Sequence, residues 1–424
     1  MASKTDSGRK NPTPGKGITR RDFLHDVSLA SLALALPRAG LASPGTAATR
    51  SPAGGDAYYP PTLTGMRGTH AGAYEVAHQL AREGKSFAMG DPVDEHYDLV
   101  VVGAGISGLA AAYFYRQQHG PESRILLLDN HDDFGGHAKR NEFHQAGPMR
   151  LSWGGTVNIE HWKYSAVGNR LLRELGIDIE RLLADFSFDW GSSGTGLETS
   201  TWFDRDTYGR DVLIRGLSYQ YMDRAALLDV VSDIPISDAG KASLRRFLTS
   251  TEDALPGYSD AQRQAFLHGT RYADFLREQG GLTPDAIQIF SASMPGIWGV
   301  RADDLSVAEC LESDLPGAHI LALPEPVQEQ ATHAPSAMFP DGNASIARLL
   351  VRALIPSAFP GMRPDSDPFD IVTADLDYGE LDTADQPVRV RLNSTVLHVD
   401  NTAAGDAVTL SYHEDGTIKT LSGR

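Results

Sequence analysis

Three glycine clusters and one acid have the residue types and spacing to hold a phosphate-bearing cofactor. Gly103-Ala104-Gly105-Ile106-Ser107-Gly108 places glycine at the first, third and sixth positions. In that pattern the first glycine permits a tight turn, the second lets a pyrophosphate approach the backbone, and the third lets a helix pack closely on a strand. The free N–H groups at the start of that helix, around Ile106 and Ser107, then face the phosphates. Asp129 follows 21 residues after Gly108, with Asn130 beside it. A carboxylate there accepts hydrogen bonds from a ribose and disfavours a 2′-phosphate. Gly135-Gly136 comes next, with His137 and Arg140, and then Trp153-Gly154-Gly155-Thr156.

The elements that must position these residues are also legible. Leu99 to Val102 is a continuous apolar run, as suits a strand buried on both faces, and an Ala-rich helical stretch follows the glycines. A second apolar strand, Ile125 to Leu128, ends at Asp129, completing a βαβ unit. A Gly-Gly pair shortly after the acid resembles flavoproteins of the glutathione-reductase type, in which it meets the FAD pyrophosphate and flavin. A second pair, at Gly154-Gly155, sits where such proteins pass a loop beside the flavin ring. The order of the two pairs behind one βαβ unit favours FAD over a nicotinamide nucleotide.

Composition sets the boundaries. At 424 residues the chain is long enough for two or three domains. Cys310 is the single cysteine, so there is no internal disulfide framework. The formal charge is −17, and residues 1–48 carry seven Lys/Arg against three Asp/Glu, leaving −21 on the remainder. Nucleic acid is therefore not an expected partner, whereas a small cationic molecule would be steered toward such a surface. At the start, Arg20-Arg21 precede a short apolar run ending before Pro37, then small residues from Ala39 to Ala48. The run is shorter than the roughly 20 residues of a membrane span, so a cleavable signal, not a membrane anchor, is expected. The paired arginines followed by Phe23-Leu24 mark the twin-arginine route. Such proteins cross the membrane folded, often with a cofactor already inserted, and the expected destination is the periplasm.

Residues 49–95 read as an N-terminal arm with a helical stretch at Tyr74 to Glu83, and 96–160 as the βαβ unit with its flavin loops. Residues 161–335 read as a substrate domain, with helical stretches at Gly168 to Leu175 and Asp260 to Leu276. Thr201–Phe203 and Val212–Ile214 form an expected hairpin. Asp185, Phe186, Phe188, Asp189, Trp190, Trp202 and Asp204 interleave acids with aromatics, the mixture an ammonium-bearing substrate needs. Residues 336–424 return to the cofactor domain, with strands at Val390 to Leu392 and Ser394 to Val399.

Several longer strings, "YYPPTLTGMRGTHAGAYEVAH", "LDNHDDFGGHAKRNEF", "YSAVGNRLLRELGID", "TWFDRDTYGRDVLI" and "FPDGNASIARLLVRALIP", resemble bacterial spermidine dehydrogenases of the flavin amine oxidase superfamily. The resemblance implies an α/β fold: a Rossmann-type FAD-binding domain, glutathione-reductase-like, with an inserted α+β substrate domain. It implies oxidation of spermidine or a related polyamine to an imine, with electrons passed to an acceptor other than oxygen. It places Val396 against the adenine. It extends to haem b, for which His70 and His78 are the candidate ligands, with Met66 nearby, although no C-x-x-C-H for covalent attachment is present. In the superfamily a final motif beside the flavin follows, so the chain is expected to be C-terminally incomplete. A catalytically silent dinucleotide-binding protein and a desaturase-like flavoenzyme with an apolar entry channel are the alternatives.

Overall fold

The four residues Ile125 to Leu128 bury every side chain, to 1% exposure or less, and so must be covered on both faces. They are the middle strand of a parallel sheet in the computed structural model, which describes residues 58–63, 68–144, 148–185, 197–218, 222, 224–323 and 336–423. The arm contributes a helix, α1 (Glu75–Ala81), and a strand, β1 (Asp91–Tyr97). The βαβ unit is β2 (Leu99–Val102), α2 (Ile106–His119) and β3 (Ile125–Leu128). An antiparallel pair follows, β4 (Arg140–Phe143) and β5 (Arg150–Trp153), then the helices α3 (Ala166–Glu174) and α4 (Ile179–Asp185). The hairpin expected in the middle region forms as β6 (Ser200–Phe203) and β7 (Val212–Arg215). The chain closes with β8 (Val388–Arg391), β9 (Ser394–Asn401), β10 (Val408–Glu414) and β11 (Thr417–Gly423).

The parallel sheet has the order β2-β3-β8, and a second sheet the order β1-β11-β10-β9. Alternation along β3 ties the two together: Ile125 and Leu127 face the large core beneath α2, while Leu126 and Leu128 face a small core with Tyr97, Leu410, Tyr412 and Leu421. Burying four such side chains contributes roughly 1.5–3 kcal/mol each. The sheets are also joined by charge. Arg391 reaches Asp382 at 2.7 Å and Glu95 of β1 at 3.0 Å, and Arg389 reaches Asp382 at 2.5 Å.

The middle region holds a core of its own, running from Phe203 to Leu323 and built on helices such as Asp238–Thr249, Tyr272–Glu278 and Pro284–Ser291. That core starts later than the boundary at residue 161. Leu171 and Leu172 of α3, Leu175 at its C-terminal cap and Leu182 of α4 pack instead in the core beneath α2. The stretch read as helical from Asp260 to Leu276 is two helices, Asp260–Gly269 and Tyr272–Glu278. They part at Arg271, which bridges to Ser306.

Candidate dinucleotide site

The site is assembled backbone on backbone. Gly103 has φ +96, which a side chain would strain, and the space its Cβ would enter is open. A Cβ at Gly108 would fall 1.9 Å from the Gly103 carbonyl oxygen and 3.1 Å from Val101, so only glycine lets α2 start against the turn. At Gly105, by contrast, a Cβ would meet Gly136 at an ordinary 3.7 Å, so the fold itself leaves room there. Gly103 thus has the backbone of a tight turn and Gly108 the close helix packing, while Gly105 is where the fold leaves room. The first-turn N–H groups of α2, at Ile106 and Ser107, have no intrahelical acceptor by construction.

The Gly-Gly pairs continue the stack. Gly135 bridges Gly105 and donates its N–H to the Ala104 carbonyl at 2.9 Å. Gly154 donates to the Lys139 carbonyl at 2.7 Å and Gly155 to the His137 carbonyl at 2.9 Å. A Cβ at Gly154 would collide with Lys139 O at 2.6 Å. Asn343 then holds the last loop, taking the Thr156 carbonyl with its own N–H at 3.1 Å and donating its side-chain amide to Thr156 Oγ1 at 2.7 Å. Three separate glycine segments and one Asn are therefore brought into a single run of contacts. Asn343 was not among the residues read as functional; "DGN" before an amphipathic helix was the only available signal.

Asp129 is buried and spans the junction: Ala104 N–H donates to its Oδ2 at 2.7 Å and His131 N–H to its Oδ1 at 2.9 Å. Each carboxylate oxygen keeps acceptor capacity for a ribose hydroxyl. The segment after it is fastened to β9, Asn393 N–H donating to His131 O at 2.8 Å and Ser394 N–H to Asp129 O at 2.7 Å. This brings β9, and with it half-buried Val396, alongside the acid. The open side of Gly103, the unpartnered helix start and the acid at the strand end together fit the pyrophosphate and ribose of a dinucleotide. Trp153 and His137 are exposed and Thr156 half-buried, at the same loops.

Arg140 departs from the expectation that it faces the cofactor. Its guanidinium is 3% exposed and is taken by Glu142, by Asp341 at 2.9 Å and by the Val372 carbonyl at 2.7 Å. Tyr59 adds a hydrogen bond to Glu142 at 2.9 Å. Burial would push Glu142 up, but Arg140 overrides it and holds the carboxyl below its ordinary range. Burial raises Tyr59 to about 12. Arg140 is a structural link between β4 and the Asp341-Gly342-Asn343 turn.

The haem expectation finds no support. His70 has both ring nitrogens engaged, Nδ1 at 3.0 Å from Ala71 O and Nε2 at 3.1 Å from His131 Nδ1. His78 packs on Tyr74, ring centroids 4.9 Å apart. Met66 lies outside the described residues, and among those described no three His, Cys, Asp or Glu side chains converge as for a metal ion.

Residues 101–175 match the NAD(P)-binding Rossmann-like domain family. The chain is a mixed α/β protein with a Rossmann domain. No curated protein matches it. Among solved structures it is similar to a putrescine oxidase bound to putrescine, at 15% identity, covering 78% of this chain and 57% of that one with a TM-score of 0.33. A CLA-producing fatty acid isomerase from P. acnes gives 12% identity, 77% and 58% coverage and 0.33. A RAB GDI from Plasmodium falciparum gives 12%, 78% and 64%, and 0.36. The chain spans less than two thirds of the length of each.

Of the acidic and aromatic residues expected to hold an amine, Asp185, Trp202 and Asp204 are described, and Asp185 ends α4 beside Arg181. Phe186, Phe188, Asp189 and Trp190 lie outside the described residues, Trp202 is 58% exposed, and Asp204 caps the short helix Arg205–Tyr208 through Thr207 N–H. A cavity of about 470 Å³ beside β7 is lined by Arg210 and Arg215 against Asp233, the wrong charge balance for an ammonium group. A larger one, about 520 Å³, lies beside β8 between Tyr58, Asp132, Tyr378, Asp382, Arg391 and Glu414, and includes none of the glycine loops. No helix among the described residues is long and apolar enough to cross a membrane.

Proposed function

We propose that the chain is an FAD-dependent oxidoreductase that oxidises an amine, spermidine or a related polyamine, to an imine that hydrolyses to the aldehyde. The observation that carries the cofactor assignment is the contact of Gly105 with Gly135-Gly136, which lays the second glycine loop on the phosphate-binding turn. FAD bound there supplies the hydride acceptor. The chain's own residues have three tasks: α2 and Gly105 take the pyrophosphate, Asp129 takes the ribose, and Trp153 to Thr156 border the flavin end. The substrate class rests on the sequence resemblance and on the acidic charge of the chain. Electrons pass to an acceptor other than oxygen.

The test is direct. The purified protein should be yellow, release FAD and no NADP on denaturation, and lose its flavin colour when spermidine is added without oxygen. A nicotinamide nucleotide as the only extracted cofactor overturns the assignment. FAD that no amine reduces retires the amine reading in favour of the desaturase-like or silent alternatives. We further propose export to the periplasm by the twin-arginine machinery. Arg20→Lys with Arg21→Lys keeps the charge and should leave the protein in the cytoplasm; normal export of that variant refutes the route.

A further inference from the structure

The arm makes more specific contacts with the segment after Asp129 than a surface covering needs. His70 Nε2 lies 3.1 Å from His131 Nδ1 and 3.2 Å from both the backbone nitrogen and Oδ1 of Asp132. The Asn130 side-chain amide donates to the Ala73 carbonyl. Tyr58 donates its hydroxyl to Asp132 Oδ2 at 2.5 Å. Farther along, α1 lies against β9, the strand that carries Val396. The arm therefore grips the stretch from Asn130 to Asp132 next to the ribose acid, and also the strand on its other side.

We propose that the arm is a working part of the dinucleotide site: His70 is a positioning residue that fixes the loop Asn130–Asp132, and through it Asp129, for the adenosine half of the cofactor. The proposal rests on the reading of this site as one for FAD. The physical argument is one of satisfied groups. Asp129 and His131 have their carbonyls tied to β9, while on the other side the backbone N–H of Asp132 donates to His70 and the amide of Asn130 to Ala73. Without His70 and Ala73 the loop loses part of the anchoring that opposes β9. His131, whose N–H is one of the two that hold the Asp129 carboxylate, sits in that loop against His70, so loosening it leaves the acid on its Ala104 anchor and weakens its ribose bond. The flavin half, cradled by Gly135-Gly136 and Gly154-Gly155, makes none of its contacts through His70.

The prediction is thus an effect confined to one half of the cofactor. Titrating the full chain, stripped of cofactor, with ADP and separately with FMN reads the two halves apart by calorimetry. His70→Ala should weaken ADP by about tenfold, the size of one lost anchoring interaction, and leave FMN unchanged. His70→Gln, which retains a polar group at that place, should recover part of the ADP affinity, and circular dichroism identifies any variant that fails to fold. Equal ADP affinity in wild type and His70→Ala, an equal loss for FMN, or no ADP binding by the wild type overturns the proposal. ADP binding that depends on His70 in a protein that does not take FAD would leave it standing and refute the FAD reading instead.

Discussion

The Rossmann half and the middle region solve opposite packing problems. In the first, the decisive positions are those where a side chain must be absent: Gly108 against Gly103 O, Gly154 against Lys139 O, and Gly342, at φ +65, against Thr156 O at 2.6 Å. In the second, the decisive positions are filled: Phe247, Phe275, Tyr272 and Phe290 are all 1% exposed or less and meet edge to face or tilted, with centroids 5.9 to 6.3 Å apart. Excluded atoms create a surface that a ligand can share with the backbone. Filled volume creates rigidity without offering a place to bind. The difference predicts that stability and cofactor affinity are separable by mutation.

The strongest test removes volume from the filled half. Phe275→Ala should lower stability by about 3–5 kcal/mol in a denaturant titration, while each folded molecule binds FAD as before. If affinity falls in step with stability, the two cores are not separate. Next is atom addition in the glycine half. Gly108→Ala should cost about 1–3 kcal/mol and also abolish FAD binding, since the helix start is displaced. Gly105→Val sharpens the contrast: it should melt near the wild-type temperature yet fail to bind FAD, because the obstructed space is the ligand's. Loss of folding in Gly105→Val would show that the turn tolerates no side chain even without ligand.

Acid separates the regions more gently. Burial lowers His319, whose Nε2 lies 2.9 Å from Phe247 O, so its folded form resists a proton that the unfolded chain takes up below 6.5. Stability in the middle region should fall as pH drops through 6.5 and then level off. Glu142, held low by Arg140, contributes stability that is complete above 4.5 and is lost only as pH falls below that value. Melting followed by separate probes of the two regions checks the order, which His319→Gln should erase for the middle region alone. The smallest effect is expected at Arg181, whose pairing with Asp367 at 2.7 Å is solvent-exposed. Arg181→Ala should melt with the wild type, as exposed ion pairs generally contribute little.

What was legible follows the same division. β2 and β3 were readable to the residue as unbroken apolar runs, although only β3 is covered on both faces. β2 ends the sheet, none of its residues is buried and Val102 is 58% exposed, against the reading of a doubly buried strand. The glycine spacing encodes its own geometry. The hairpin β6–β7 was readable from alternation and a polar turn. β1 was not: "DPVDEHY" has no strand pattern, and its order comes from pairing with β11 and from Glu95 meeting two arginines. The break at Arg271 is equally long-range, set by Tyr272 N–H donating to Leu305 O and Val307 N–H to Thr270 O. Arg140 was misread because proximity in sequence to a glycine pair says nothing about which way a guanidinium turns. β10 and β11 had a signal that went unused, Asp415-Gly416, both at positive φ in the turn between them.

The parallel pairing of β1 with β11 also sets a schedule. A strand near the beginning of the chain has no partner until residues 417–423 have left the ribosome, more than three hundred residues later. At ordinary rates of synthesis that is roughly 15–60 s. During this interval β1 and the arm it continues from cannot be locked by the second sheet. The turn from Gly103 to Gly108 and its βαβ unit, by contrast, are complete by residue 129 except for β8. Contacts so far apart in sequence make closure slow relative to local folding. The nascent protein therefore has a window in which the Gly103–Gly108 turn exists and the arm has not yet been fixed beside it.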